Sequence, residues 1–257
     1  MAVFITGASS GLGAALARHY AAQGHVLGLL ARRGERLREL VATLPGSHHL
    51  YVVDVCERQA LHAAAADFIQ KVGRVDIVIA SAGISAGTLT EQTDDFDVFK
   101  AIFETNVLAT VSTFEPFVPH MKQVGAGTLV GIASVAGVRG LPGAGAYSAS
   151  KSAVTTYCES LRLELKPFAV GVVTIAPGYI KTEMTAKNPY SMPFLLDAEV
   201  FATRAARAVA RQDSYVVIPW QMGIVGKIMR MLPNWLYDKM AVNAPRKPRM
   251  SRQPRQP

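Results

Sequence analysis

Short runs rich in Val, Ile and Leu alternate along this chain with longer Ala- and Leu-rich stretches whose apolar positions recur at helical spacing. Strands are predicted at residues 2–6, 25–31, 49–54, 75–80, 127–133, 170–175 and 215–218, and helices at 11–23, 34–44, 57–72, 97–123, 145–166 and 197–211. Continuous apolar strands separated by helices are the pattern of a parallel sheet buried on both faces. The reading is one doubly wound α/β domain of Rossmann type over residues 1–218, with a central parallel sheet of about seven strands.

Two segments break the alternation. Residues 183–199 place Met184, Pro189, Met192, Pro193, Phe194, Leu195 and Leu196 in a long connection, and a connection of that length in a compact domain commonly serves as a lid. In 219–243, Trp220, Ile224, Val225, Ile228, Met231 and Leu232 form an approximate helical stripe beside Gln221, Lys227 and Arg230, and a second short apolar segment follows Pro233. Residues 244–257, with Pro and Arg/Lys throughout, read as a disordered tail.

Charge sharpens this division. Of a formal net charge of +8, residues 1–218 account for 19 Lys/Arg against 18 Asp/Glu, and residues 219–257 for 8 against 1. The basic character thus belongs to the C-terminal extension, where cations beside an amphipathic stripe suit peripheral contact with an anionic membrane face. A helix packed over a substrate cleft or between subunits is the alternative. No nucleic-acid partner is expected, because the tail has no folded recognition motif and its Trp residues precede the basic cluster. Cys56 and Cys158 match no metal-ligand spacing and are expected to be small, buried, reduced core residues, in keeping with a cytoplasmic compartment. The N-terminus runs from a strand straight into a glycine-rich turn without the charged region of a secretory signal.

The chemistry lies in that turn and in one helix. Gly7, Ser9, Ser10, Gly11, Leu12 and Gly13 join the first strand to the first helix, where backbone amides and a helix N-terminus can receive the diphosphate of a dinucleotide. An acid about 20 residues further on would bind the ribose hydroxyl of NAD, but the second strand ends in Arg32-Arg33. Two guanidiniums there suit the 2′-phosphate of NADP(H) and make NAD(H) the lesser choice. Tyr147 and Lys151 lie four apart on a predicted helix, which sets a phenol beside an ammonium. A neighbouring cation favours the phenolate, so the pair is expected to lower the tyrosine pKa toward the range useful for acid and base catalysis on a carbonyl.

With these features in order, joined by Asp54-Val55, Ala80-Ser81-Ala82-Gly83, Asn106, Ser134 and Pro177-Gly178-Tyr179-Ile180-Lys181-Thr182, the chain resembles the short-chain dehydrogenase/reductase family in its ~250-residue form over residues 1 to about 218. The resemblance implies that Ser134 holds the substrate oxygen, Tyr147 gives the proton, Lys151 binds the nicotinamide ribose and lowers the Tyr147 pKa, and Asn106 holds a relay water. It also implies that Asp54 and Val55 contact the adenine, that Ala82, Gly83, Pro177 and Gly178 line the cofactor cleft, and that Ile180 and Thr182 hold the carboxamide. Homo-oligomers are usual in that family. Where Ser81 stands the family usually has Asn, which has a longer reach and two donors. The expected activity is an NADP(H)-dependent interconversion of a ketone and a secondary alcohol, on a largely apolar substrate. A catalytically silent NADP-binding sensor or scaffold is the alternative from another class.

Overall fold

The computed structural model describes residues 1–186 and 188–249. Its elements are β1 (Ala2–Thr6), α1 (Gly11–Ala22), β2 (Val26–Ala31), α2 (Gly34–Ala42), β3 (His49–Val52), α3 (Arg58–Val72), β4 (Ile77–Ala80), α4 (Asp95–Phe103), α5 (Ala109–Phe114), α6 (Phe117–Val124), β5 (Thr128–Ile132), α7 (Gly145–Leu165), β6 (Gly171–Pro177), β7 (Ile180–Lys181), α8 (Glu183–Ala186), β8 (Leu196–Asp197), α9 (Ala198–Ala210), β9 (Tyr215–Ile218), α10 (Trp220–Met231) and α11 (Asn234–Ala241). Seven strands form one sheet in the order β3-β2-β1-β4-β5-β6-β9, every pairing parallel.

The strands are apolar throughout because both faces are covered. On one side Val3, Ile5, Leu27 and Leu29 pack with Leu16, Phe201 and Ala205 of α1 and α9. On the other, Phe4, Val78 and Leu129 pack with Phe68, Phe114, Phe117 and Leu161. Because strand order reverses between β1 and β4, the helices leave a crevice at the carboxyl ends of these strands, where open α/β sheets bind ligands.

The segment expected as one helix over 97–123 is instead broken. A π-helical turn at Glu104–Leu108 separates α4 from α5, and Pro116, which has no N–H to continue the ladder, precedes α6. The long connection after β6 has its two ends joined by a small sheet in which Ile180 pairs with Leu196. Of the apolar residues expected to form a lid, only Met184 lines the cleft, while Phe194 and Leu195 are exposed.

Two further expectations need correction. Cys158 is buried, but Cys56 is exposed, since it follows β3 in a turn above the sheet edge. Residues 244–249, expected within the disordered tail, lie against the body, where the Gly87 N–H donates to the Pro248 carbonyl at 2.9 Å and Arg249 pairs with Asp95 at 2.8 Å. The remainder of the predicted tail lies outside the described residues. No helix among the described residues is long and apolar enough to cross a membrane.

Candidate active site

A cleft of about 400 Å³ occupies the crevice. At one end Gly7, Ser9, Ser10, Gly11, Leu12 and Gly13 form its floor, joined by Val55, Ala82 and Gly83. Gly7 has φ +68°, and a Cβ on it would lie 2.7 Å from Ala82 Cα, so only glycine lets this turn pass the end of β4. Ser10 stands at the N-cap of α1 without a side-chain cap bond, and the first turn of α1 holds no acid. The N–H groups of that turn and the positive end of the helix are therefore left for an anion, and these residues fit a dinucleotide diphosphate.

Arg32 and Arg33 line the rim as expected, but neither is free. Arg32 donates to Asp54 at 3.2 Å. Arg33 donates to the Ser10 hydroxyl and, at 3.2 Å, to Glu183, whose other oxygen accepts from Arg36 at 2.6 Å. Glu183, at the start of α8, holds these two cations together across the cleft mouth, and they hold its carboxyl below the usual range. Asp54 is not among the lining residues; its second oxygen accepts from the Cys56 N–H at 3.0 Å.

The other end of the cleft carries Ser134, Tyr147 and Lys151, with Pro177, Gly178, Ile180 and Thr182 along the wall. Ser134 follows β5, and its hydroxyl accepts from the Ala136 N–H at 3.1 Å, which fixes it at the end of the strand. α7 presents Tyr147 and Lys151 one turn apart. The Ser134 hydroxyl donates to the Pro177 carbonyl at 3.5 Å, and as a neighbour of the Tyr147 phenol it favours the phenolate. Burial outweighs it, however, and pushes the Tyr147 pKa up. This corrects the expectation of a lowered value. The Lys151 ammonium donates to the Ile132 carbonyl at 2.8 Å and stands 5.9 Å from the Tyr147 ring centroid. Burial shifts the lysine as well, down to about 8.

Asn106 is fully buried behind this group and not on the cleft wall. Its amide donates to the Ile84 carbonyl and the Ser150 hydroxyl, both at 3.0 Å, while its oxygen accepts from the Ile84 N–H at 2.8 Å. With every side-chain group so engaged, the amide braces the segment after β4 against α7. The π-helical turn aims it there, a common use of such turns near functional sites. Ser81 has the consequence its short side chain implies, since its hydroxyl is buried with no partner.

Sequence reasoning missed Ile84, Thr105, Glu183 and Thr185, which also line the cleft, and Lys247, whose ammonium lies 5.8 Å from the Tyr147 ring centroid. Glu183 and Thr185 were within the predicted lid, but nothing in a linear pattern pairs α8 with α2 across the opening.

The model of the family described as short chain dehydrogenase matches residues 1–192. An uncharacterized oxidoreductase of Myxococcus xanthus is 35% identical over 243 residues, covering 92% of this chain and 94% of its own. A short-chain dehydrogenase from Sphingobium yanoikuyae, solved in complex with NADPH, superposes with a TM-score of 0.76 at 27% identity over 91% of this chain and 96% of its own. A 3-ketoacyl-(acyl-carrier-protein) reductase from Brucella melitensis, solved with NADH, shares the fold at a TM-score of 0.76 and 24% identity, over 84% and 96% of the two chains. From its glycine turn and hydroxyl pair to its overall sequence match, this chain is an oxidoreductase belonging to the short-chain dehydrogenase family.

Proposed function

We propose that the chain interconverts a carbonyl group and a secondary alcohol, with NADP(H) as the preferred cofactor. The observation that carries the reaction is that Ser134, Tyr147 and Lys151 line the same end of the cleft. Two hydroxyl donors meeting at one point suit an oxygen on which negative charge develops, and such preorganised donors contribute several kcal/mol to catalysis. The bound dinucleotide supplies or accepts the hydride. Tyr147, its pKa raised by burial, holds its proton at neutral pH and arrives as the donor, which favours reduction. Lys151, lowered to about 8, is still largely charged at pH 7 and offsets the phenolate left once that proton is given up.

The preference for NADP(H) rests on Arg32 and Arg33 at the rim, with Arg36 beside them and no acid in residues 25–31. Met184 gives the cleft wall an apolar surface for the rest of the substrate. Tyr147→Phe tests the reaction: turnover of NADPH with a panel of ketones and aldehydes should fall at least 100-fold, about 3 kcal/mol of barrier, with cofactor binding kept. Retention of more than a tenth of kcat would remove Tyr147 from the role of acid.

A further inference from the structure

Lys247 lies beside Tyr147, its ammonium 5.8 Å from the ring centroid, with no acid next to it among the described residues. The segment 244–249 returns from α11 as a strap, and its seat is built in three places. A Cβ on Gly87 would lie 2.3 Å from the Lys247 carbonyl oxygen, so the close approach of the strap requires glycine there. The Arg249 guanidinium bonds both oxygens of Asp95 at 2.8 and 3.0 Å, and Asp95 is itself buried and accepts from the Leu89 N–H at 2.8 Å. On the other side of Lys247, the Arg246 stem rests on Gly143, 3.1 Å from where a Cβ would stand.

Held between these anchors, the Lys247 ammonium donates to the Ser85 hydroxyl at 2.9 Å and lies 5.8 Å from the Tyr147 ring centroid. An ammonium has three donors, and the Ser85 hydroxyl is a single neutral acceptor. Burial alone lowers the Lys247 pKa, with no carboxylate opposing it. Lys247 is half-buried, and a cation partly withdrawn from water without an opposite charge is disfavoured, whereas its neighbour Arg249 is paired with Asp95. An anion arriving in the cleft would complete the set.

We propose that Lys247 binds an anionic group of the substrate, so that the carbonyl compound taken by this enzyme carries a carboxylate, sulfonate or phosphate a few bonds from the reacting carbon. The 5.8 Å between the Lys247 ammonium and the Tyr147 ring centroid is a length that a chain of a few bonds of about 1.5 Å each can span. This assignment deepens the carbonyl-reductase reading and rests on it.

The test compares succinic semialdehyde with its methyl ester, methyl 4-oxobutanoate, under NADPH. The wild-type chain is expected to prefer the acid at least tenfold in kcat/KM. Lys247→Met should bring the acid-to-ester ratio close to one, and Lys247→Arg should keep most of it. Gly87→Val and Arg249→Ala, which unseat the strap without altering Lys247, should lower the ratio as Lys247→Met does. A wild-type ratio near one, or a ratio unchanged in Lys247→Met, overturns the proposal. So does a rise of both rates in Lys247→Met with the ratio kept, which would make the strap a plug. Calorimetry on the NADP-loaded protein with butyrate and butyramide separates this failure from failure of the carbonyl reading. Butyrate bound at least tenfold tighter, with the difference lost in Lys247→Met, supports the anion site even if neither aldehyde is reduced. Equal affinities overturn it.

Discussion

The cofactor end of the cleft and its substrate end are built by opposite means. At the cofactor end, contiguous residues of one turn, Gly7 to Gly13, make the floor, and the geometry follows from local backbone needs. At the substrate end the parts come from distant places: Ser134 after β5, Tyr147 and Lys151 on α7, Asn106 behind them in a π-helical turn, and the proposed anion ligand Lys247 from a strap about a hundred residues beyond Tyr147. The first end is set by strand-to-helix geometry that any dinucleotide needs. The second is free to vary, and there α10, α11 and the strap are added. Arg139 ties this addition down: it donates to the Met229 and Leu232 carbonyls at 2.6 and 2.7 Å, to Asn234 at 2.8 Å, and lies 3.9 Å from the Tyr237 ring centroid.

The contrast can be broken first at Lys151, the buried cation of the substrate end. Its folded pKa of about 8 lies below the ordinary 10.5, so between these values the unfolded chain holds a proton that the folded chain has released. Stability contributed by this group therefore rises with pH from about 8 to 10.5, by at most roughly 3 kcal/mol. Lys151→Met should lack that rise. Urea unfolding of both proteins at pH 8 and pH 10 measures it as the difference of the two slopes, which removes the tyrosines titrating in both. Equal slopes would place the lysine in a wetter setting than the structure gives it.

At the cofactor end, Arg33→Ala should weaken NADPH binding by about 1–2 kcal/mol, roughly 5- to 30-fold, while NADH binding changes little. Titration calorimetry with both nucleotides reads the gap directly, and tighter NADH than NADPH in the wild-type chain would reverse the assignment of the rim. Glu183→Gln should have a smaller and opposite effect. It frees Arg33 and Arg36 from an exposed pair worth no more than about 1 kcal/mol, and NADPH should bind up to about fivefold tighter. Loss of affinity in this variant would mean that Glu183 positions the arginines for the nucleotide and does not compete with it.

The smallest effect is expected on the outer face of the addition, where Trp220, Ile224, Ile228, Met231 and Trp235 are all exposed. We propose that this face rests on anionic membrane, with Lys227 and Arg230 beside it. Because Lys247 and Arg249 are turned inward, few cations remain for lipid among the described residues, so binding should be weak. Vesicles containing phosphatidylserine should sediment a minor fraction of the protein at low salt and release it as ionic strength rises. If Trp220→Ser with Ile228→Ser instead lowers the mass found by light scattering and no vesicle binding occurs, the face joins copies of this chain.

The sheet, the cofactor turn and the Tyr147/Lys151 pair are legible in the chain before it folds, because each is encoded by short-range spacing: two for strands, near four for helices, and glycine where a turn passes another backbone. The sequence placed Ser134 and the Gly178–Thr182 wall in order along the chain through a family pattern. It did not reveal which way Tyr147 would shift, since the Lys151 ammonium is drawn to the Ile132 carbonyl and burial decides the phenol. Nor could it show that the Asn106 amide turns from the cleft to brace Ile84, or that Glu183 closes over Arg33 and Arg36. The seat of Lys247 beside Tyr147 depends on Gly87 and Asp95, more than 150 residues earlier. Burial, long-range ion pairing and the seat of one segment on another are properties of the packed chain, and only the tertiary structure brings those partners within reach.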